Sequence, residues 1–167
     1  MRQKSWPVPI IIGLLILAGG ALYFIKISSL YLENSDRSKS QWIWVNSSER
    51  FTISYIHSIY KEPVVEEFQI HQEMIVLKGV RTSHPGILEY YGFEGTEEFH
   101  PMDRRLSPPF FRVGMDEAQT LMVRDKRVSF NEVGEKGDRI RLGLRSVSLG
   151  EYLFHRVLSQ TFIPESR

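Results

Sequence analysis

The chain has 167 residues, 42% of them hydrophobic and 25% charged, with a formal net charge of +1 and no cysteine. This is the composition of a folded protein with room for one ordinary domain core, not of a disordered chain. The missing cysteines exclude a disulfide framework, a thiolate zinc site, a thiol nucleophile and lipid attachment through an N-terminal Cys.

Arg2, Lys4 and Lys26 flank an apolar run, and removing those three from the 21 basic residues leaves 18 against 20 acidic, a balance of −2. A remainder so close to neutral has no basic field to attract nucleic acid, and none is expected as a partner. The run itself, Trp6 to Ile25, is about twenty residues, long enough to cross a bilayer as a helix. Arg2 and Lys4 before it place the N-terminus in the cytoplasm and send the remainder outward. Residues 1–27 are therefore expected to be one N-terminal transmembrane helix, giving a single-pass protein of the cell membrane with an extracytoplasmic C-terminal domain. Ala18-Gly19-Gly20 resembles a signal-peptide cleavage site, but the apolar run continues past it to Ile25, as an anchor does. Residues 28–41 are Ser-rich and polar and are expected to be a linker, with the folded domain over 42–167.

Within that domain Trp42 to Val45 reads as a first strand. Phe51 to Ser58 and Val65 to Glu73 both alternate, the mark of half-buried strands. Folded about a loop at Ile59 to Val64, they place their apolar residues on one face when His57 lies opposite Glu66, Tyr55 opposite Phe68 and Ile53 opposite Ile70. A shift of one residue would turn Val65, Glu67 and Gln69 to the core; a shift of two preserves the faces. Met74 to Leu77 and Ile87 to Phe93 read as further strands, separated by a turn at Ser83-His84-Pro85-Gly86. Gly92 to Gln119 is crowded with Gly, Pro and charge and reads either as a long functional segment or as a disordered or variable surface loop, in which Phe110 and Phe111, after Pro108-Pro109, should dock on the core, on a ligand or on a partner. Thr120 to Phe130 reads as a hairpin with Asp125-Lys126 at its tip, Gly134 to Asp138 as a turn, and Arg139 to Arg145 as a strand with Ile140, Leu142 and Leu144 inward. Ser148 and Glu151 form a capping-box pattern, opening a helix to about Ser159 with Leu149, Leu153 and Val157 on its inner face and Pro164 beyond it. The fold expected is mostly β, about seven short strands in an antiparallel sandwich or partly open barrel, with a short C-terminal helix.

The chemistry available is sparse. His57 and Glu66 with a third histidine would suit a metal. His71, however, points to the other face, His84 and His100 lie in loops, and there is no HExxH spacing, so no metal and no cofactor are expected. Ser58 is adjacent to His57 and points away from it, and no GxSxG elbow is present, so no catalytic residue is assigned. The His57–Glu66 pair reads either as a staple that closes the hairpin or as part of a surface that receives a ligand or partner.

Tyr55, His57 and Ser58, followed by Pro63-Val64 and then Glu66, resemble the leading motif of a bacterial and archaeal family known as domain of unknown function 1850. The Ser83 to Gly86 turn stands where that family has a Gly-rich turn, in altered form, and Gly137-Asp138 before the Arg139 to Leu144 strand matches a third feature. The resemblance covers roughly Trp42 to Leu149. It implies an accessory domain of a TAXI-type TRAP solute uptake system, acting on the permease or solute-binding protein at the outer face of the cytoplasmic membrane by contact and not catalysis. A small-ligand or metal-binding domain centred on His57 and Glu66 is the alternative, and a hydrolase the more distant one. The candidate ligand- or partner-binding residues are Tyr55, His57, Ser58, Pro63, Glu66, Ser83, Phe110 and Phe111.

Overall fold

The computed structural model describes residues 7–95, 97–107, 109–114 and 119–161. Arg2, Lys4, Trp6, Pro108 and Pro164, which carried expectations above, lie outside the described residues. Two antiparallel sheets share one core. The first has four strands in the order β2 (Ser40–Val45), β1 (Lys26–Asn34), β10 (Arg139–Ser148) and β7 (Phe110–Arg112). The second has six, in the order β6 (Phe99–Arg105), β5 (Met74–Arg81), β4 (Pro63–His71), β3 (Arg50–Ile56), β8 (Thr120–Val123) and β9 (Lys126–Ser129). Neither sheet closes on itself, so the architecture is an open sandwich and not a barrel. Inward residues of both sheets meet in one cluster, with Leu30, Leu32, Ile53, Phe68, Leu121, Ile140 and Leu142 almost wholly removed from water. Burying side chains of this size stabilises the domain by about 1.5–3 kcal/mol each.

The helices are α1 (Pro7–Phe24), α2 (Pro85–Tyr91) and α3 (Leu149–Thr161). Helix α1 is 18 residues long. At a rise of about 1.5 Å per residue it reaches roughly 27 Å, short of the hydrocarbon thickness. Among the described residues no helix is long and apolar enough to cross a membrane. Its side chains stand outside the core, exposed at Val8, Ile10, Leu14, Leu17 and Phe24.

Residues 28–41 are not a linker. The chain passes from α1 directly into β1, the second strand of its sheet, which pairs with β10 from Lys26↔Ser148 to Asn34↔Ile140 and with β2 on its other side. Leu30 and Leu32 supply the apolar alternation, and Ser29, fully buried, donates its Oγ hydrogen to Ile43 O at 3.1 Å. Asn34 ends the strand. Its Nδ2 donates to Val133 O (3.1 Å) and Asp138 Oδ2 (2.8 Å), and its Oδ1 accepts from the backbone N–H of Asp36 (2.8 Å) and Arg37 (3.0 Å). These bonds tie the β1–β2 turn to the β9–β10 connection.

Ile87 to Phe93, expected as a strand, is largely the helix α2. His84 caps it, accepting the Gly86 N–H on Nδ1 at 3.2 Å; Pro85 opens it, and Gly92 closes it in the left-handed region (φ 85°). Proline at the first turn and glycine just past the last are the two ends a helix prefers. The crowded stretch from Gly92 to Gln119 supplies β6 and β7. Ser148 caps α3 as expected, accepting the Glu151 N–H at 3.1 Å. The inner face of α3 differs from expectation. Tyr152 is buried and His155 stacks on Trp42 at 4.6 Å, while Leu153 and Val157 turn outward together with Phe154.

Candidate functional site

The β3–β4 hairpin forms, but in another register. Phe51 lies opposite Phe68, Ile53 opposite Glu66, Tyr55 opposite Val64 and Ile56 opposite Pro63. The expected His57–Glu66 pair therefore does not form: His57 sits past the end of the ladder, four residues along from Ile53, about 13 Å at the rise of a strand. The faces are those expected, since the shift is even. What selects the register is the pairing of the two phenylalanines, whose rings stack at 5.1 Å in the core, and a loop short enough to close on its own backbone. His57 N–H donates to Glu62 O (2.9 Å), Lys61 N–H donates to His57 O (2.8 Å), and Lys61 takes a left-handed conformation (φ 56°) to allow it.

His57 serves the loop in two ways. Its Nδ1 accepts from the N–H of Ile59 (3.3 Å) and Tyr60 (3.4 Å), and its ring stacks on Tyr60, which stacks in turn on His84. Tyr60 thus bridges the hairpin loop and the N-terminus of α2. A Cβ on Gly86 would fall 2.6 Å from the Tyr60 hydroxyl, so glycine leaves the space the ring uses. Both acceptor contacts of His57 are long. Replacing His57 by Ala is expected to cost only about 1 kcal/mol and leave the domain folded, as urea unfolding monitored by circular dichroism will show. An unfolded variant would make His57 a staple of the fold.

Glu66 occupies an inward position of an otherwise apolar ladder, between Val64 and Phe68 on β4. Its partner comes from α2. Tyr91 donates its hydroxyl hydrogen to Glu66 Oε1 at 2.5 Å, and the Tyr55 hydroxyl lies 2.9 Å from that of Tyr91. Burial raises the pKa of the Glu66 carboxyl, against the pull of the Tyr91 hydrogen bond. Burial, then the nearby Glu66 charge, pushes the Tyr55 phenol up to about 12. The same two causes carry Tyr91 well above the usual phenol range. The two phenols therefore hold their protons and offer no nucleophile.

Tyr55 also forms part of the wall of a cavity of about 840 Å³ at the end of the sandwich where the two sheets part. Ile56, His57, Ser58 and Lys61 line it from the hairpin and Tyr90 from the last turn of α2. Arg112, Val113 and Gly114 come from the end of β7, Gln119 from the start of β8, and Lys136 and Gly137 from the β9–β10 connection. Two hydrogen bonds join the last groups: Val113 N–H donates to Asp138 O (3.0 Å) and Gly137 N–H to Val113 O (3.1 Å). The structure thus brings Tyr55, His57 and Ser58 into one cavity, with Glu66 one hydroxyl behind Tyr55. It leaves the others apart. Pro63 begins β4 at the surface, and Ser83 is exposed before α2. Phe111 docks edge-on against Phe130 at 5.4 Å, whereas Phe110 is 61% exposed and borders a separate hollow with Arg141. Among the described residues no three His, Asp or Glu side chains come together to hold a metal. Tyr90, Tyr91, Arg112, Gln119 and Lys136 were not singled out by the sequence. The Tyr pair looked like strand residues, and the others lie in connections that only the sheet pairing brings beside the hairpin.

Residues 51–130 match the model of a family described as a domain of unknown function (DUF1850). The match includes the Tyr55 to Glu66 motif and the Ser83 to Gly86 turn; the Gly137-Asp138 turn lies beyond it. No curated protein and no solved structure gives a significant match to the chain.

Proposed function

We propose that this chain is a non-catalytic binding domain, held on the outer side of the cytoplasmic membrane by α1, that serves a TAXI-type TRAP uptake system by contact with a ligand and with the system's solute-binding protein or permease. The observation that carries the reading is a coincidence of motif and cavity: Tyr55, His57 and Ser58, on which the family likeness rests, line the same cavity. The transporter association comes from that likeness. Membrane attachment is supported by the exposed apolar side chains of α1, a surface that needs a cover.

The cavity stands at the far end of the domain from α1. Lys26 begins β1 beside α1, whereas Asn34 ends it against Asp138, next to the cavity residue Gly137. A strand of that length separates them by about 27 Å. In a chain anchored by α1 this end of the domain would face away from the membrane, which supports contact with a soluble binding protein there. Hydrolysis through Ser58 and His57 is disfavoured because the His57 Nδ1 is engaged with the Ile59 and Tyr60 backbone. A metal held by His57 and Glu66 is disfavoured by their separation. Tagged full-length protein extracted from membranes is expected to co-purify with a TAXI-type permease or solute-binding protein. Reproducible recovery of neither subunit overturns the transporter reading.

A further inference from the structure

We infer that the outer side of α3 rests on lipid, beside the point where α1 leaves the domain. This rests on reading α1 as the membrane attachment and adds a second contact to it. At about 100° of turn per residue, Gly150, Leu153, Phe154 and Val157 fall within one arc of about 100° on α3. Tyr152 and His155 lie on the opposite side, where Tyr152 is buried and the His155 ring stacks on Trp42 at 4.6 Å. The sandwich therefore uses one side of α3 and leaves an apolar side outward, with Leu153 41%, Phe154 62% and Val157 60% exposed. Glu151 turns away from that arc, toward Arg145 (3.8 Å).

What covers the outward side follows from α1. Leu149 N–H donates to Ile25 O at 2.8 Å and holds the start of α3 against the end of α1. A Cβ on Gly150 would lie 3.5 Å from the Leu22 carbonyl oxygen and 3.6 Å from the Leu22 Cβ, so the two helices touch at this glycine. Gly150 stands near the middle of the outward arc. Helix α1 thus departs from the same side of α3 that carries Leu153, Phe154 and Val157. No charged residue occurs from Pro7 to Phe24. A helix apolar on every side belongs in a protein core or in lipid, and exposure at Val8, Leu14 and Leu17 places α1 outside the core. The medium that covers α1 therefore continues over the outer side of α3. Its depth is marked by Tyr23 and Lys26, whose Nζ lies 5.5 Å from the centre of the Tyr23 ring, since such rings and cations collect at the headgroup level. Leu22 adjoins that level, which sets the first turns of α3 at the boundary between headgroups and acyl chains, where an apolar helix face inserts.

The test is site-directed spin labelling of the full chain in vesicles of phosphatidylcholine and phosphatidylglycerol. The chain has no cysteine, so each introduced one carries the only label. L153C and F154C report on α3, L14C on α1, and I59C on the hairpin loop at the other end of the domain; all four positions are exposed, and the melting temperature should stay that of the parent. Power saturation compares relaxation by oxygen, which concentrates in lipid, with relaxation by a water-soluble nickel chelate. Oxygen is expected to dominate at Leu14, Leu153 and Phe154, and the chelate at Ile59. Chelate dominance at Leu153 and Phe154 with oxygen dominance at Leu14 overturns the inference and leaves α1 as the attachment. Labels at Leu153 and Phe154 screened from both reagents show that protein covers this side of α3, which overturns the lipid assignment. Chelate dominance at Leu14 overturns the membrane reading of α1 and the inference with it.

Discussion

Phe68→Ala is expected to destabilise the domain by about 3–5 kcal/mol, the largest loss from any single truncation considered for this chain. The ring is 1% exposed, stacks on Phe51 from the neighbouring strand, and sits beside the register shift between Glu67 and Phe68 in the β4–β5 pairing. Truncation opens a cavity at the point where the hairpin register is decided, and the flanking sheets leave little room to collapse into it. Since a domain of this kind has a total stability of about 5–15 kcal/mol, the variant is expected near the edge of folding at physiological temperature. Phe68→Leu, which keeps most of the volume, should lose far less. Equilibrium urea unfolding measures both. A Phe68→Ala loss below about 1 kcal/mol would contradict the burial described here.

The second large effect concerns pH. Burial raises the folded-state pKa of Glu66 above the ordinary value of a glutamate carboxyl. The stabilising contribution of its protonated form is fully present below the unfolded pKa and is lost as pH rises through the folded one. Tyr91 limits that loss, since its hydroxyl hydrogen bond favours the ionised carboxylate. In Tyr91→Phe the carboxylate is left buried without its donor. The penalty is expected to be about 1.5–3 kcal/mol once Glu66 is ionised and only about 0.5–1.5 kcal/mol while it is protonated. The cost of the substitution therefore grows from acid toward neutral pH, and the Glu66 titration moves upward. Glu66→Gln should flatten the dependence in both backgrounds. Urea unfolding across that pH range, with carbon-detected NMR of the Glu66 carboxyl, distinguishes these outcomes. A Tyr91→Phe penalty independent of pH would show that the hydroxyl does not serve the carboxylate.

Several elements were legible from residue order because their signals are local. The β8–β9 hairpin, the β10 alternation and the Ser148 cap each depend on neighbours a few residues apart. The hairpin register was not legible, because period-two alternation cannot distinguish shifts by an even number of residues. The Phe51–Phe68 stack decides it. Strand β1 was hidden by serines that composition assigns to solvent, although Ser29 is satisfied by a main-chain carbonyl and buried. Helix α2 is too short to show a helical period, and its cap is a histidine in place of the usual hydroxyl or carboxamide. The inner face of α3 was legible only at Leu149, which packs beside Trp42; further along, Trp42 recruits Tyr152 and His155, and Leu153 and Val157 turn outward. The cavity was half legible. Tyr55, His57 and Ser58 stood out in the motif, but Arg112, Gln119 and Lys136 reach it only through sheet pairing across the chain.

The direct passage from α1 into β1 has a mechanical consequence. Nine register pairs with β10 and six with β2 grip the strand that leaves the helix. A pull on α1 along that strand loads both ladders in shear, so their hydrogen bonds must yield together and not one after another as in peeling. The domain thereby resists tension applied where α1 enters the first sheet.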